Sequence, residues 1–221
     1  MKSRPDANAI FTALPDLVLG ITFLATWIAP ERMRDGIVGY LLITVLLEFI
    51  IVHSSAFMGT VAIAKTDRRK KVIGILGLGV FYSLFAAGFA LSFSTWWPFL
   101  AFWTLTANRL LGVILHRAPE GEEETYIRTS WAAGAVFYLL AAGLTVVPPV
   151  PRFGLTPAFV AAEQLPGGGL WIDEPHRAIA FGVIYYFAMA WSELRGHRWA
   201  RSGLPRAKPV ETRPAADAPP R

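Results

Sequence analysis

The stretch IVGYLLITVLLEFIIVHSSAFMGTVAIAKTDRRKK, residues 37–71, decides the fold. From Ile37 to Ala64 it is almost unbroken in apolar residues, and it ends at the cationic string Lys65, Arg68, Arg69, Lys70 and Lys71. About 20 such residues in an α-helix cross roughly 30 Å of hydrocarbon. The middle nevertheless carries Glu48 and His53, and ionisable groups at bilayer depth are costly enough to mark a functional or tightly paired site. The stretch predicts a membrane helix with something polar beside it.

The whole chain agrees with that reading. Of its 221 residues 54% are hydrophobic and 17% charged, with a mean hydropathy of +0.43. A soluble domain carries about 25% charged residues. Apolar residues come in blocks of span length separated by short charged segments, so one all-α, polytopic transmembrane helical bundle accommodates them. The absence of cysteine excludes disulfides, thiolate nucleophiles, iron–sulfur ligation and Cys-based zinc sites. A net charge of +5 does not point to nucleic acid, because the cations sit at span ends.

Six spans are expected, at about residues 9–29, 37–64, 72–94, 97–115, 127–147 and 175–194. The first follows Lys2 and Arg4 like a secretory signal, but it is long and no small-residue cleavage site follows, so it is expected to stay as an uncleaved helix. Thr95, Trp96, Trp97 and Pro98 form a tight connection with indoles at interfacial depth. Residues 148–174 form the only long connection; Phe153, Phe159, Val160 and Leu165 predict a short helix at the interface, and Gly167, Gly168 and Gly169 a flexible turn. Asp173 or Glu174 suits a helix cap before Pro175. Residues 1–198 are expected to make the bundle, and residues 199–221 a disordered basic tail rich in Pro, Ala and Arg, drawn to anionic headgroups. No internal repeat is found.

Orientation follows from the positive-inside rule. With both termini cytoplasmic, only Arg32, Arg34, Arg152 and Arg177 of the 21 Lys and Arg face outward, and Arg109 lies within the membrane. The expected location is a bacterial cytoplasmic (inner) membrane.

Depth then selects a polar set. At 1.5 Å per residue, Glu48, His53, Arg109 with Asn108, and Asp16 all fall within a thin slab near mid-membrane. A lone Arg there costs on the order of 2.5 kcal/mol or more, and a carboxylate is the usual remedy. Glu48 is the first expected partner of Arg109 and Asp16 the second. At 100° per residue Ser55, seven positions on, shares a face with Glu48, while His53 turns toward another neighbour such as Asp16, Tyr82 or Tyr185.

Each feature has a plainer explanation. Glu48 with Arg109 can be a buried pair that only fixes helix register. His53 suits a neutral core imidazole, since His116, His176 and His197 lie at span ends and supply no second ligand for haem or metal. Asp16 after Pro15 can mark the first turn of a shorter helix. Gly79, Ser83 and Ala87, and Ser130 with Gly134, make small-residue faces for close helix contact, within the chain or with a copy or a membrane partner. Glu122 to Glu124 read as a solvated loop, and Gly167 to Gly169 lack the Lys-Ser/Thr of a P-loop.

Three functions suit such a set. A small permease would bind or gate an ion or anionic solute at Glu48 and Arg109, and predicts a water-accessible cavity. An accessory or assembly subunit would use the polar groups only to lock the bundle, and predicts a dry interior. An enzyme acting on lipid or quinone would use Glu48 and His53 as acid and base. No cofactor is implied, and no hydrolase, metalloprotease, kinase or nucleotide motif supports the third.

Overall fold

The apolar blocks become helices because a chain in hydrocarbon has to satisfy its backbone polar groups within itself. The computed structural model describes residues 7–115 and 122–201. Its regular structure is helical: α1 (Ala7–Ile28), α2 (Ile37–Ile63), α3 (Arg68–Ser92), α4 (Trp97–Ile114), α5 (Glu122–Val146), α6 (Pro157–Glu163), α7 (Leu170–Asp173), α8 (Pro175–Leu194) and α9 (Arg198–Arg201). A short 3-10 turn at Pro30–Arg32 follows α1.

The six predicted segments correspond to the six long helices, with differences at the ends. Helix α3 starts at Arg68 and so takes in much of the basic string, while Lys71 Nζ reaches back 2.7 Å to the carbonyl of Ala62 near the end of α2. Helix α5 starts at Glu122, so the acidic run is its first turn and not a loop. Carboxylates favour the positive end of a helix dipole, and Glu124 pairs with Arg128 one turn later at 2.7 Å. The expected acidic-loop residue Glu120, with His116 and Arg117, lies outside the described residues, as do the basic N-terminal Lys2 and Arg4 and the tail residues 202–221. Trp199, placed by sequence in that tail, is anchored: its ring lies 5.1 Å from that of Phe137, and its indole donates to Ser192 Oγ at 2.7 Å.

Four helices are long and apolar enough to cross a membrane: Ala9–Ile28, Ile37–Ile63, Arg68–Ser92 and Glu124–Val146. Helices α4 and α8 do not join them by composition. Helix α4 carries Asn108 and Arg109, and α8 carries buried His176 and Ser192. A helix enclosed by its neighbours need not be apolar on every face. Helix α8 lies among α1, α2 and α5 and is buried along most of its length, from Pro175 to Ser192.

Large apolar side chains cover the outside, among them Phe11, Val18, Leu84, Leu91, Leu139 and Leu144. Such a surface suits lipid and would be a liability in water. Inside are two apolar clusters. Phe23, Leu42, Val45, Tyr138, Phe181 and Tyr185 join α1, α2, α5 and α8. Leu47, Ile50, Met58, Ile75, Ala86 and Phe102 join α2, α3 and α4. Helix α2 belongs to both, which is why its sequence is apolar all round.

Antiparallel packing of α1 on α8 is close. A Cβ added to Gly182 would lie 2.2 Å from the Phe23 ring, which is fully buried and stacked on Tyr186 at 5.4 Å. The small face of α3 is filled from within the chain, since Gly79 approaches Thr106 and Trp103 of α4.

The long connection is pinned to the C-terminal end of α1. Trp27 donates to the carbonyl of Pro151 at 2.9 Å, and the Gly154 amide donates to Trp27 at 3.0 Å. The expected short helix is α6, capped by Thr156 Oγ accepting the Phe159 amide at 3.2 Å. Beyond it, Gly167 and Gly169 take positive φ, and a helical turn not foreseen, α7, follows. Asp173 accepts from the Gly169 amide at 3.2 Å, so it serves α7. Glu174 stands at the N-cap of α8 without making the capping bond, because its carboxylate is taken by Arg177 and, at 3.5 Å, Arg152. Arg177 also donates to the carbonyls of Thr145 at 2.8 Å and Pro148 at 3.0 Å, closing the C-terminal end of α5.

Two outcomes are expected. Gly182→Ala, which overpacks a ring with no room to move, lowers stability by about 1–3 kcal/mol in a detergent melt, more than Ala at the open Gly88. The hydrogen bond from Arg177, reinforced by the charges of Arg177, His176 and Arg152, holds the Glu174 carboxyl below its ordinary 4.5. Its stabilisation is complete above pH 4.5 and is lost as pH falls through the lower folded value. Melting temperatures across acidic pH show that loss in the parent chain and less of it in Glu174→Gln.

Candidate functional site

Helix α2 presents Glu48, Ser55 and Met58 to one cavity, because residues seven and ten apart stay within one sector of a helix. Two different helices meet them. From α8, the Tyr185 hydroxyl donates to Glu48 Oε1 at 2.6 Å, in a place where Gly134 of α5 leaves room for that hydroxyl, 3.6 Å from where its Cβ would stand. The rings of Tyr186 and Tyr138 lie 5.0 and 5.8 Å from that of Tyr185. From α4, Arg109 Nη2 donates to Ser55 Oγ and Nη1 lies 3.3 Å from Met58 Sδ, while Ser55 donates onward to the carbonyl of Ile51.

The expected Glu48–Arg109 ion pair does not form among the described residues. The two groups share a cavity, but Arg109 meets α2 at Ser55, about 10 Å along the axis from Glu48 by helical rise. Tyrosine takes the carboxylate, and a hydroxyl and a thioether take the guanidinium. Asp16, the second expected partner, lies well inside α1 and not at its first turn; its charged neighbours are the carboxylates of Glu193 and Glu48. His53 faces outward. Its Nδ1 lies 3.1 Å from the carbonyl of Phe49, with the two rings 4.1 Å apart, and neither Tyr82 nor Tyr185 engages it. Asn108 lines the cavity beside Arg109.

The cavity holds about 1050 Å³ and occupies the cleft between the two apolar clusters. It runs from Glu48 and Tyr185 down to Thr66, Arg68 and Lys71 at the basic end of the bundle. Helix α4 packs on α2 and α3, and α5 on α2 and α8, but α4 and α5 barely touch each other across it. Trp131 of α5 bridges the cleft higher up, its indole donating to the carbonyl of Val52 at 3.0 Å. At the opposite end a smaller apolar hollow of about 490 Å³ reaches Leu46 of α2, two positions from Glu48. Among the described residues no three Asp, Glu, His or Cys side chains come together to hold a metal.

Sequence reasoning named Tyr185 only as a partner for His53 and missed Met58 and Trp131. A buried tyrosine needs an acceptor, but Glu48 had been assigned to Arg109, so its pairing with Tyr185 was not foreseen. Nothing in the sequence marks Met58 or Trp131. No family model, curated protein or solved structure matches the chain.

The geometry separates two couplings. Glu48→Gln and Tyr185→Phe should show a double-mutant interaction of about 1 kcal/mol, the scale of interhelical hydrogen bonds in membranes. Glu48→Leu and Arg109→Leu should add to within about 0.5 kcal/mol, because the two groups do not touch. Melting of the four single variants and two doubles reads both.

Proposed function

We propose that the chain crosses the membrane six times with both termini cytoplasmic and works as a small permease that takes an anionic solute into the cavity from the cytoplasmic side. Six long helices, with α1 antiparallel to α8, support the even count. The split of Lys and Arg between the two ends supports the sidedness.

One observation carries the functional part: a guanidinium stands in a large cavity with no carboxylate within ion-pair distance among the described residues. Arg does not lose its proton in proteins, so its charge at this depth needs an anion or water. A cavity lined at one end by Thr66, Arg68 and Lys71 suits the entry of either. Glu48, held by Tyr185 at the end of the cavity away from Arg68 and Lys71, is a titratable group two positions from Leu46, which lines the smaller hollow. Loading of Arg109 on α4 and protonation of Glu48 on α2 give a carrier two events at one cavity. The accessory-subunit reading predicts a dry, sealed interior, and a cavity of this size weighs against it.

Because the chain has no cysteine, single introduced thiols report solvent access without background. Gly59 lines the cavity, and a side chain there meets nothing within 4 Å. Gly59→Cys and Thr66→Cys should react with an impermeant thiosulfonate from the cytoplasmic side only, and Gly168→Cys from the other. Acetate, dodecanoate and inorganic phosphate are then screened for raising the melting temperature of the parent chain; at 100 times its Kd a true ligand contributes about 2.7 kcal/mol. At least one should stabilise the parent and not Arg109→Gln. An unreactive Gly59→Cys together with no anion effect would favour the scaffold.

A further inference from the structure

The cavity that holds Arg109 is poorly matched to a small, fully hydrated anion. Much of the cavity wall is apolar, with Met58 against the guanidinium and Leu111, Val113 and Ile127 also in the lining. At about 1050 Å³ the space is at the upper end of what drug-sized ligands fill, far beyond the needs of one headgroup. Water against such walls is unfavourable, and an occupant with an apolar body removes it.

The packing shows where that body goes. Leu111 on α4 and Ile127 on α5 both line the cavity and are 54% and 40% exposed. They stand on helices that barely touch, so the cleft opens sideways toward the hydrocarbon as well as down to Arg68 and Lys71. A guanidinium also prefers a carboxylate or phosphate, whose two oxygens match its paired N–H groups.

Resting on the anion-site reading above, we infer that the ligand is a single-chain amphipathic anion. Its carboxylate, sulfate or phosphate head sits on Arg109 with Ser55 and Asn108, and its alkyl chain leaves between α4 and α5 along Leu111 and Ile127. The cations at the mouth, Arg68 and Lys71, gather anionic headgroups from the adjoining leaflet or buffer.

The test uses the full chain with Gly59→Cys in phosphatidylcholine nanodiscs, and reads protection of the thiol from a thiosulfonate. Butanoate, octanoate and dodecanoate should protect at concentrations that fall about three- to fourfold for each added methylene while the chain gains apolar contact. Dodecanol and dodecyltrimethylammonium should be at least tenfold weaker than dodecanoate, and Arg109→Gln should bring dodecanoate down to the level of dodecanol. Lysophosphatidate placed in the disc protects if the ligand comes from the bilayer; protection by aqueous dodecanoate alone places the source in the buffer, and either result supports the class. Equal protection by butanoate, phosphate and dodecanoate would overturn the amphipathic chain while leaving the anion site standing. Equal protection by dodecanol and dodecanoate would overturn the headgroup contact, and this comparison decides in the parent background if Arg109→Gln fails to fold. No protection by any anion, with no anion effect on melting, would remove the anion site itself.

Discussion

A single helix, α2, has to satisfy two apolar clusters, and the rest of the structure follows from that constraint. Its Leu42 and Val45 go to the cluster with α1, α5 and α8, and further along the helix Leu47, Ile50 and Met58 go to the cluster with α3 and α4. Two bodies that share one helix cannot also close against each other along their whole length. Where α4 and α5 fail to meet, a cleft remains. The polar residues of α2 that point into it, Glu48 and Ser55, are therefore at an internal surface even though they belong to the most apolar helix of the chain.

The cleft also separates opposite charges that would be expected to neutralise each other. Glu48 leans on Tyr185 in the α8 body, and Arg109 leans on Ser55 from the α4 body. Direct pairing would tie the two bodies together, and with low dielectric between them the tie would be hard to break. A hydrogen bond from tyrosine keeps the carboxylate partnered at modest energetic cost. The arginine meets only a hydroxyl and a thioether among the described residues. On this arrangement, the acid is held by one half of the fold and the base by the other.

Much of the architecture was legible because membrane helices report themselves through length and composition. The six apolar segments appear as six helices, and the spacing of Glu48 and Ser55 was enough to put them on one face. Helix ends were less legible. The acid run at Glu122 to Glu124 reads as a loop by polarity, yet the dipole and the Glu124–Arg128 pair draw it into α5. Depth arithmetic was the weakest step at the site. It placed Glu48 and Arg109 in one slab, but a slab about 10 Å thick holds two turns of helix, and which turn of α2 faces Arg109 is set by how α4 sits on α3. Contacts between segments far apart in sequence, such as Tyr185 with Glu48, carry no local signature.

Helix α8 shows how composition can mislead in the other direction. By hydropathy it is a weak candidate to cross a membrane, yet it is the most enclosed long helix, holding Tyr185, Tyr186 and Phe181 against α1, α2 and α5. Enclosure removes the need for an apolar outer face and leaves room for polar atoms wherever a neighbour can answer them. Ser192 is answered by His197 at 2.7 Å and by Trp199, so the C-terminal turn closes over the end of the helix. Tyr185 is answered by Glu48. The same enclosure that hides α8 from a hydropathy scale lets it bring a hydroxyl to Glu48, and the end of the cavity away from Arg68 and Lys71 is built there as a consequence.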